Sequence, residues 1–159
     1  MEAQPSPLIV RGNLSHVQRV AALRHELWPE DAIDSHAAEL RAQLGDPDGD
    51  IALFLALDAE GAPLAFADIA LRYDYVNGCE SSPVAFLEGI YVTAAHRRQG
   101  IARALVEAAQ LWGREQGCAE FASDALLDNE ESHSFHRAMG FEETERVVYY
   151  RKPLADPSA

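Results

Sequence analysis

The chain has 159 residues, of which 48% are hydrophobic and 25% charged, the balance of one globular domain able to bury a core without metal or disulfide support. Its 13 Lys and Arg against 26 Asp and Glu give a formal net charge of -13. That field repels phosphate backbones and anionic lipid, which argues against nucleic acid and membrane partners; it attracts small polycations, although surplus acid also serves solubility alone. No apolar run reaches the length of a membrane span. Residues 1–7 hold two prolines and neither a basic nor a greasy leader segment, so they are predicted to be a tail and the chain a cytoplasmic one. The domain is expected over 8–152, followed by a second tail over 153–159.

Leu8-Ile9-Val10 predicts a short strand. Ser15-His16-Val17-Gln18 has the form of a capping box, and Val17, Val20, Ala21, Leu23, Leu27 and Trp28 follow at near-helical spacing until Pro29. A second helix is predicted from about Ser35 to Leu44, stopped by Gly45. Ile51 to Leu57 and Leu64 to Tyr73 flank the turn Asp58-Ala59-Glu60-Gly61 and should pair as a hairpin. Asp74 to Pro83 is a polar loop, and Val84 to Val92 is the next strand. An amphipathic helix is predicted over Ile101 to Gln116 with Gly117 just past its end. Glu120 to Ser123 predicts a strand, Asn129 to Met139 a helix, and Glu143 to Arg151 a last strand. This β-α-α-β-β-β-α-β-α-β order predicts one α+β domain with a mixed, mostly antiparallel sheet and helices on both faces.

The segment Arg97-Arg98-Gln99-Gly100-Ile101-Ala102 lies between a predicted strand and a predicted helix. Small residues permit close approach of a ligand, and a helix start offers unpaired N–H groups and a positive dipole end. A pyrophosphate site and a solvated basic helix start both fit this pattern. The Gly-Lys-Ser/Thr of a Walker loop and the three-glycine dinucleotide fingerprint are missing. Cys79 and Cys118 are isolated, as reduced thiols would be, and neither has a sequence neighbour that would activate it for covalent acyl transfer. His133 and His136 are three residues apart on a predicted helix, but no third ligand has convincing spacing, so no metal is expected.

The Arg-x-x-Gly-x-Ala loop, the strand Phe86-Leu87-Glu88-Gly89-Ile90-Tyr91-Val92 and Met139-Gly140-Phe141 resemble the GNAT-type N-acetyltransferases. Leu27-Trp28-Pro29, Asp74-Tyr75-Val76-Asn77-Gly78, Ala122-Ser123-Asp124 and Gly140-Phe141-Glu142-Glu143-Thr144-Glu145-Arg146 narrow the resemblance to the aminoglycoside 6′-N-acetyltransferases. The resemblance implies acetyl-CoA as co-substrate. Arg98, Gln99, Gly100, Ile101, Ala102 and Arg103 would cradle its phosphates, and Ile90, Tyr91 and Val92 would bind its arm by main chain. Backbone N–H groups of that strand would polarise the thioester carbonyl. Asn129 matches a position near the cofactor arm and is equally suited to cap a helix.

On the acceptor side the resemblance implies that Glu88, Asp124 and Glu145 receive ammonium groups, with Trp28 and Tyr75 as aromatic walls. Residue by residue, other readings stand: Asp124 can open a turn, Glu145 can belong to a solvated acidic cluster, and Trp28 can be a helix-end core aromatic. Glu88, inside an apolar strand, is rarely idle. An amine attacks only when neutral, whereas neighbouring carboxylates favour its charged form. Glu88 is therefore expected to be the proton acceptor, directly or through water, in a direct transfer without a covalent enzyme intermediate. The acid for the departing thiolate stays open between His136, Tyr149, Tyr150 and solvent, because Phe135 is followed by His136 where many superfamily members have Tyr. A homodimer is implied, with Val147-Val148-Tyr149-Tyr150 as one candidate edge for pairing. The competing readings are acetylation of another polyamine or metabolite amine, and a non-catalytic acyl-CoA-binding module.

Overall fold

The computed structural model describes residues 6–156. The ends of both expected tails, residues 1–5 and 157–159, lie outside the described residues. In chain order the elements are β1 (Leu8–Arg11), α1 (Val17–Leu27), α2 (Ile33–Leu44), β2 (Ile51–Leu57), β3 (Pro63–Arg72), β4 (Val84–Val92), α3 (Ile101–Glu115), β5 (Phe121–Ser123) and α4 (Glu130–Ala138). The sheet runs β1-β2-β3-β4-β5, antiparallel through β4 and parallel between β4 and β5. The α+β architecture with a mixed, mostly antiparallel sheet is the one its sequence predicts.

Side-chain alternation divides the core into two layers. Ala52, Ala56, Ala65, Ala67, Ile69, Ala85 and Leu87 face α3, where Ile101, Leu105, Ala109 and Trp112 cover them. Leu53, Leu55 and Phe66 face the other way and pack on Val17, Val20, Ala21 and Leu23 of α1 and on Ala37 and Leu40 of α2. Strands covered on both faces read as nearly continuous apolar runs, which is why β2 and β3 look so alike in sequence. Fully burying one such Leu or Phe side chain is worth roughly 1.5–3 kcal/mol.

Two expectations are corrected. The capping box before α1 is formed by Asn13 and His16, not by Ser15 and Gln18: Asn13 Oδ1 accepts the Ser15 N–H at 2.9 Å, and His16 Nδ1 accepts the Asn13 N–H at 3.1 Å. Asn caps at least as well as Ser, and starting earlier adds a 3₁₀ turn, Leu14–His16, ahead of the helix. The second correction concerns Glu143 to Arg151, which forms no strand in this chain. Val148, Tyr149 and Tyr150 are 71%, 84% and 92% exposed. Strand propensity is realised only against a pairing edge, and nothing in the described chain pairs with this segment.

The loop between β3 and β4 is anchored rather than free. Glu120 Oε1 accepts the N–H groups of Glu80 at 2.8 Å and Ser81 at 2.9 Å. The Ser81 hydroxyl, then these N–H groups, hold the Glu120 carboxyl below the ordinary carboxylate range.

Candidate active site

The site begins at an irregularity in the sheet. Asp68 pairs with Gly89 and Ile69 with Leu87, so Glu88 is the extra residue of a β-bulge. β5 pairs only with Ala85, Phe86 and Leu87, and beyond them Glu88 to Val92 has no strand on that side among the described residues. The C-terminal half of β4 thus presents a row of backbone N–H and C=O groups to an open gap. Ile90, Tyr91 and Val92, the predicted arm-binding residues, lie along this edge.

The predicted phosphate loop follows at the end of β4. Arg98 has φ 63° and Gly100 φ 80°, a pair of left-handed residues that curls the chain before α3. A Cβ at Gly100 would meet nothing within 4 Å, so open space lies over the turn. The first N–H groups of α3, from Ile101, Ala102 and Arg103, have no intrahelical acceptors. An exposed Arg98, an exposed Gln99 and three main-chain donors at a positive helix end fit a phosphate-bearing co-substrate. The side chains do different work: Ile101 is buried in the core, and Arg103 donates to the Ala138 carbonyl of α4 at 3.0 Å. Asn129 caps α4 by accepting the Ser132 N–H at 3.1 Å.

On the α1–α2 side of the bulge lies a cavity of about 400 Å³, lined in part by Trp28, Asp31, His36, Glu39, Asp68 and Glu88. Four carboxylates in one recess give it the sign for a cationic guest. Gly89 lets the Trp28 indole lie against β4: a Cβ there would sit 2.4 Å from the ring. Trp28 is further held against Phe66 and His36, with ring centroids 6.1 and 6.3 Å away. The bottom of the recess is an ion pair. Arg24 donates to Asp68 at 2.7 Å and to Gln43 at 3.0 Å, both charged residues being nearly fully buried. Burial pushes the Asp68 carboxyl up while Arg24 pulls it down, and Arg24 Nε has no hydrogen-bond partner among the described residues.

Of the predicted acceptor-side residues, the cavity brings together Trp28 and Glu88. Asp124 follows Ser123, the register partner of Leu87, and is exposed just past the end of β5, outside the cavity lining. Tyr75 and Glu145 lie outside the lining and are exposed. They belong to adjoining segments, since a Cβ at Gly78 would be 2.1 Å from Thr144 Oγ1. Sequence reasoning missed Arg24, Asp68 and Arg72. Asp68 carried a signal, a lone carboxylate within Leu64-Ala65-Phe66-Ala67-Asp68-Ile69, the same kind that singled out Glu88.

His136 reaches β5, its Nε2 lying 2.8 Å from Ser123 Oγ and its Nδ1 2.6 Å from the Ser132 carbonyl. Tyr149 and Tyr150 stand in solvent. Burial pushes both cysteine thiols up, and the nearby Glu120 raises Cys79 further, so neither is poised as a thiolate. Among the described residues no group of three or more His, Cys, Asp or Glu could hold a metal ion, and no helix is long and apolar enough to cross a membrane.

The fold has counterparts among known proteins. The sequence model of the Acetyltransferase (GNAT) family matches residues 17–141. An aminoglycoside N(6')-acetyltransferase type 1 of Serratia marcescens is 54% identical over 84% of this chain and 90% of its own length. The enzyme of the same name from Stenotrophomonas maltophilia is 48% identical over 97% of both. Among solved structures, AAC(6')-Iy in complex with the bisubstrate analog CoA-S-monomethyl-acetylneamine superposes with a TM-score of 0.87 at 43% identity, covering 94% of this chain and 100% of that one. The chain belongs to the GNAT acetyltransferase family and, within it, to the aminoglycoside 6′-N-acetyltransferases. It is an acyltransferase that uses acetyl-CoA.

Proposed function

We propose that this enzyme transfers the acetyl group of acetyl-CoA to the 6′-amine of aminoglycoside antibiotics. The observation that carries the proposal is the place of Glu88: at the bulge, it adjoins both the acid-lined recess and the uncovered backbone edge of β4. A polycation bound in the recess would bring an amine to a thioester lying along that edge.

In this reading the main chain of Arg98, Gln99, Gly100, Ile101, Ala102 and Arg103 receives the phosphates. Ile90, Tyr91 and Val92 bind the arm, and a β4 N–H polarises the thioester carbonyl. Asn129 opens the helix beside the arm. Glu88 takes a proton from the amine, whose lone pair forms the bond to the acetyl carbon as the carbon–sulfur bond breaks. Trp28 covers a sugar ring, while Asp124, Glu145 and Tyr75 contact the remaining rings. The inert thiols favour direct transfer over an acyl-cysteine. We further infer a homodimer in the cytoplasm. The free cysteines suit a reducing compartment, and the exposed Val147-Val148-Tyr149-Tyr150 segment suits pairing with a second copy.

The test is thiol release from acetyl-CoA with kanamycin-type and gentamicin-type aminoglycosides and with linear polyamines, followed by mapping of the acetylated nitrogen. Turnover of the aminoglycosides with acetyl on the 6′ nitrogen is the expected result. Equal turnover of linear amines would make it a general polyamine acetyltransferase, and no release with any amine would make it a binding module.

A further inference from the structure

Arg72 ends β3 outside the cavity lining, yet it makes every side-chain hydrogen bond that Glu88 has from another side chain among the described residues. Nε and Nη2 donate to Oε1 at 3.1 and 2.9 Å, and Nη2 also donates to Oε2 at 3.0 Å. The guanidinium carbon lies 3.5 Å above the centre of the buried Phe86 ring. The register explains the reach: Arg72 stands opposite Val84, and Val84, Phe86 and Glu88 alternate onto one face, so the side chain runs along β4 over Phe86. The aromatic face below and the carboxylate ahead fix the fork from two directions.

The other charged and titratable groups around this pair are already committed or carry the opposite sign. Arg24 of α1 is bound to Asp68 of β3. Asp31 precedes α2, Glu39 lies on α2 and Asp124 follows β5, while His36 of α2 is committed to the Trp28 carbonyl oxygen, 3.2 Å from its Nε2. Tyr73, next to Arg72, donates to Asp50 before β2 at 3.0 Å. Arg72 is therefore the cation that faces Glu88. A carboxylate has about four lone-pair sites, and the fork takes three, which leaves room for one donor from a substrate.

We propose that Arg72 is a positioning residue for acetyl transfer, holding the Glu88 carboxylate in place and offsetting its charge so that the acceptor nitrogen sheds its proton near neutral pH. The proposal rests on the aminoglycoside reading above. A bare carboxylate would keep the bound amine as an ammonium, tightly held and unreactive. With Arg72 on the same carboxylate, the ammonium is favoured less. The ammonium gives one proton to water, the lone pair so freed bonds to the acetyl carbon while the nitrogen's second proton passes to Glu88 or water, and the carbon–sulfur bond breaks to release the CoA thiolate, which solvent protonates.

Steady-state kinetics with acetyl-CoA and a kanamycin-type aminoglycoside, from about pH 6 to about pH 9, test this on the wild type, Arg72→Gln and Arg72→Lys. In Arg72→Gln the ascending limb of kcat moves up by about one pH unit, so kcat near neutrality falls about ten-fold and recovers at high pH. KM for the aminoglycoside stays level or falls. Arg72→Lys keeps the charge without the fork, so its limb stays at the wild-type pH while kcat drops by one factor throughout. It decides the matter alone if the Gln variant does not fold. A Gln variant with an unmoved limb, a Lys variant with a displaced one, or a rise in KM as the only effect would overturn the role of Arg72. A wild-type enzyme inert toward aminoglycosides would instead overturn the functional reading on which it rests.

Discussion

Two carboxylates, each alone in an apolar strand, are used in opposite ways. Asp68 is sealed beneath the recess with Arg24, whereas Glu88 stands at its rim and remains accessible. Removing one partner from a buried ion pair leaves an uncompensated charge, at a cost of about 3–5 kcal/mol. Asp68→Ala should therefore lower unfolding stability by that amount in urea titration, and the double change Arg24→Met with Asp68→Leu should regain most of it. Glu88→Gln removes no buried pair. Its expected effect is on chemistry, with kcat/KM for the aminoglycoside lowered about 10²–10⁴-fold while stability holds. Activity near the wild-type level at every pH would show that the proton goes elsewhere.

Among the elements, β4 shows most clearly how local irregularity creates a site. Ala85 to Leu87 bind β5, the bulge at Glu88 turns a carboxylate toward the recess, and the remaining backbone faces a gap. Gly89 is part of that design, because only a missing Cβ lets the Trp28 ring reach the strand. Gly89→Ala must displace the indole. Overpacking of this kind costs about 1–3 kcal/mol, and the displaced wall should raise KM for the aminoglycoside while KM for acetyl-CoA stays put. Separate titrations of the two substrates distinguish this outcome from a general loss of fold.

On the scale of the whole molecule, the sheet and the chain's last segment are each incomplete. Among the described residues β5 has a neighbour on one side only, and the residues after α4 extend with Val148, Tyr149 and Tyr150 in solvent. A β-branched and aromatic segment with unpaired backbone seeks a sheet edge, and in a pair of identical chains each can supply what the other lacks. The expected result is twice the chain mass in light scattering. Full-length Val148→Lys with Tyr150→Lys should shift the population toward the monomer and weaken aminoglycoside turnover, since Glu145 lies on the same segment. A wild-type monomer at micromolar concentration would refute the dimer.

Periodicity, caps and turn chemistry were enough to place β2, β4 and α3 within a residue or so of their observed ends, because apolar alternation and glycines such as Gly117 act over a few residues. The same local signals exposed Glu88 and the turn at Gly100. Partner choice is a different matter. That Arg24 would meet Asp68, that Arg72 would lie on Glu88, and that Val147 to Tyr150 would find no strand among the described residues depend on contacts between residues far apart in sequence. Such contacts follow from how the layers pack, and side-chain type alone carries no record of them.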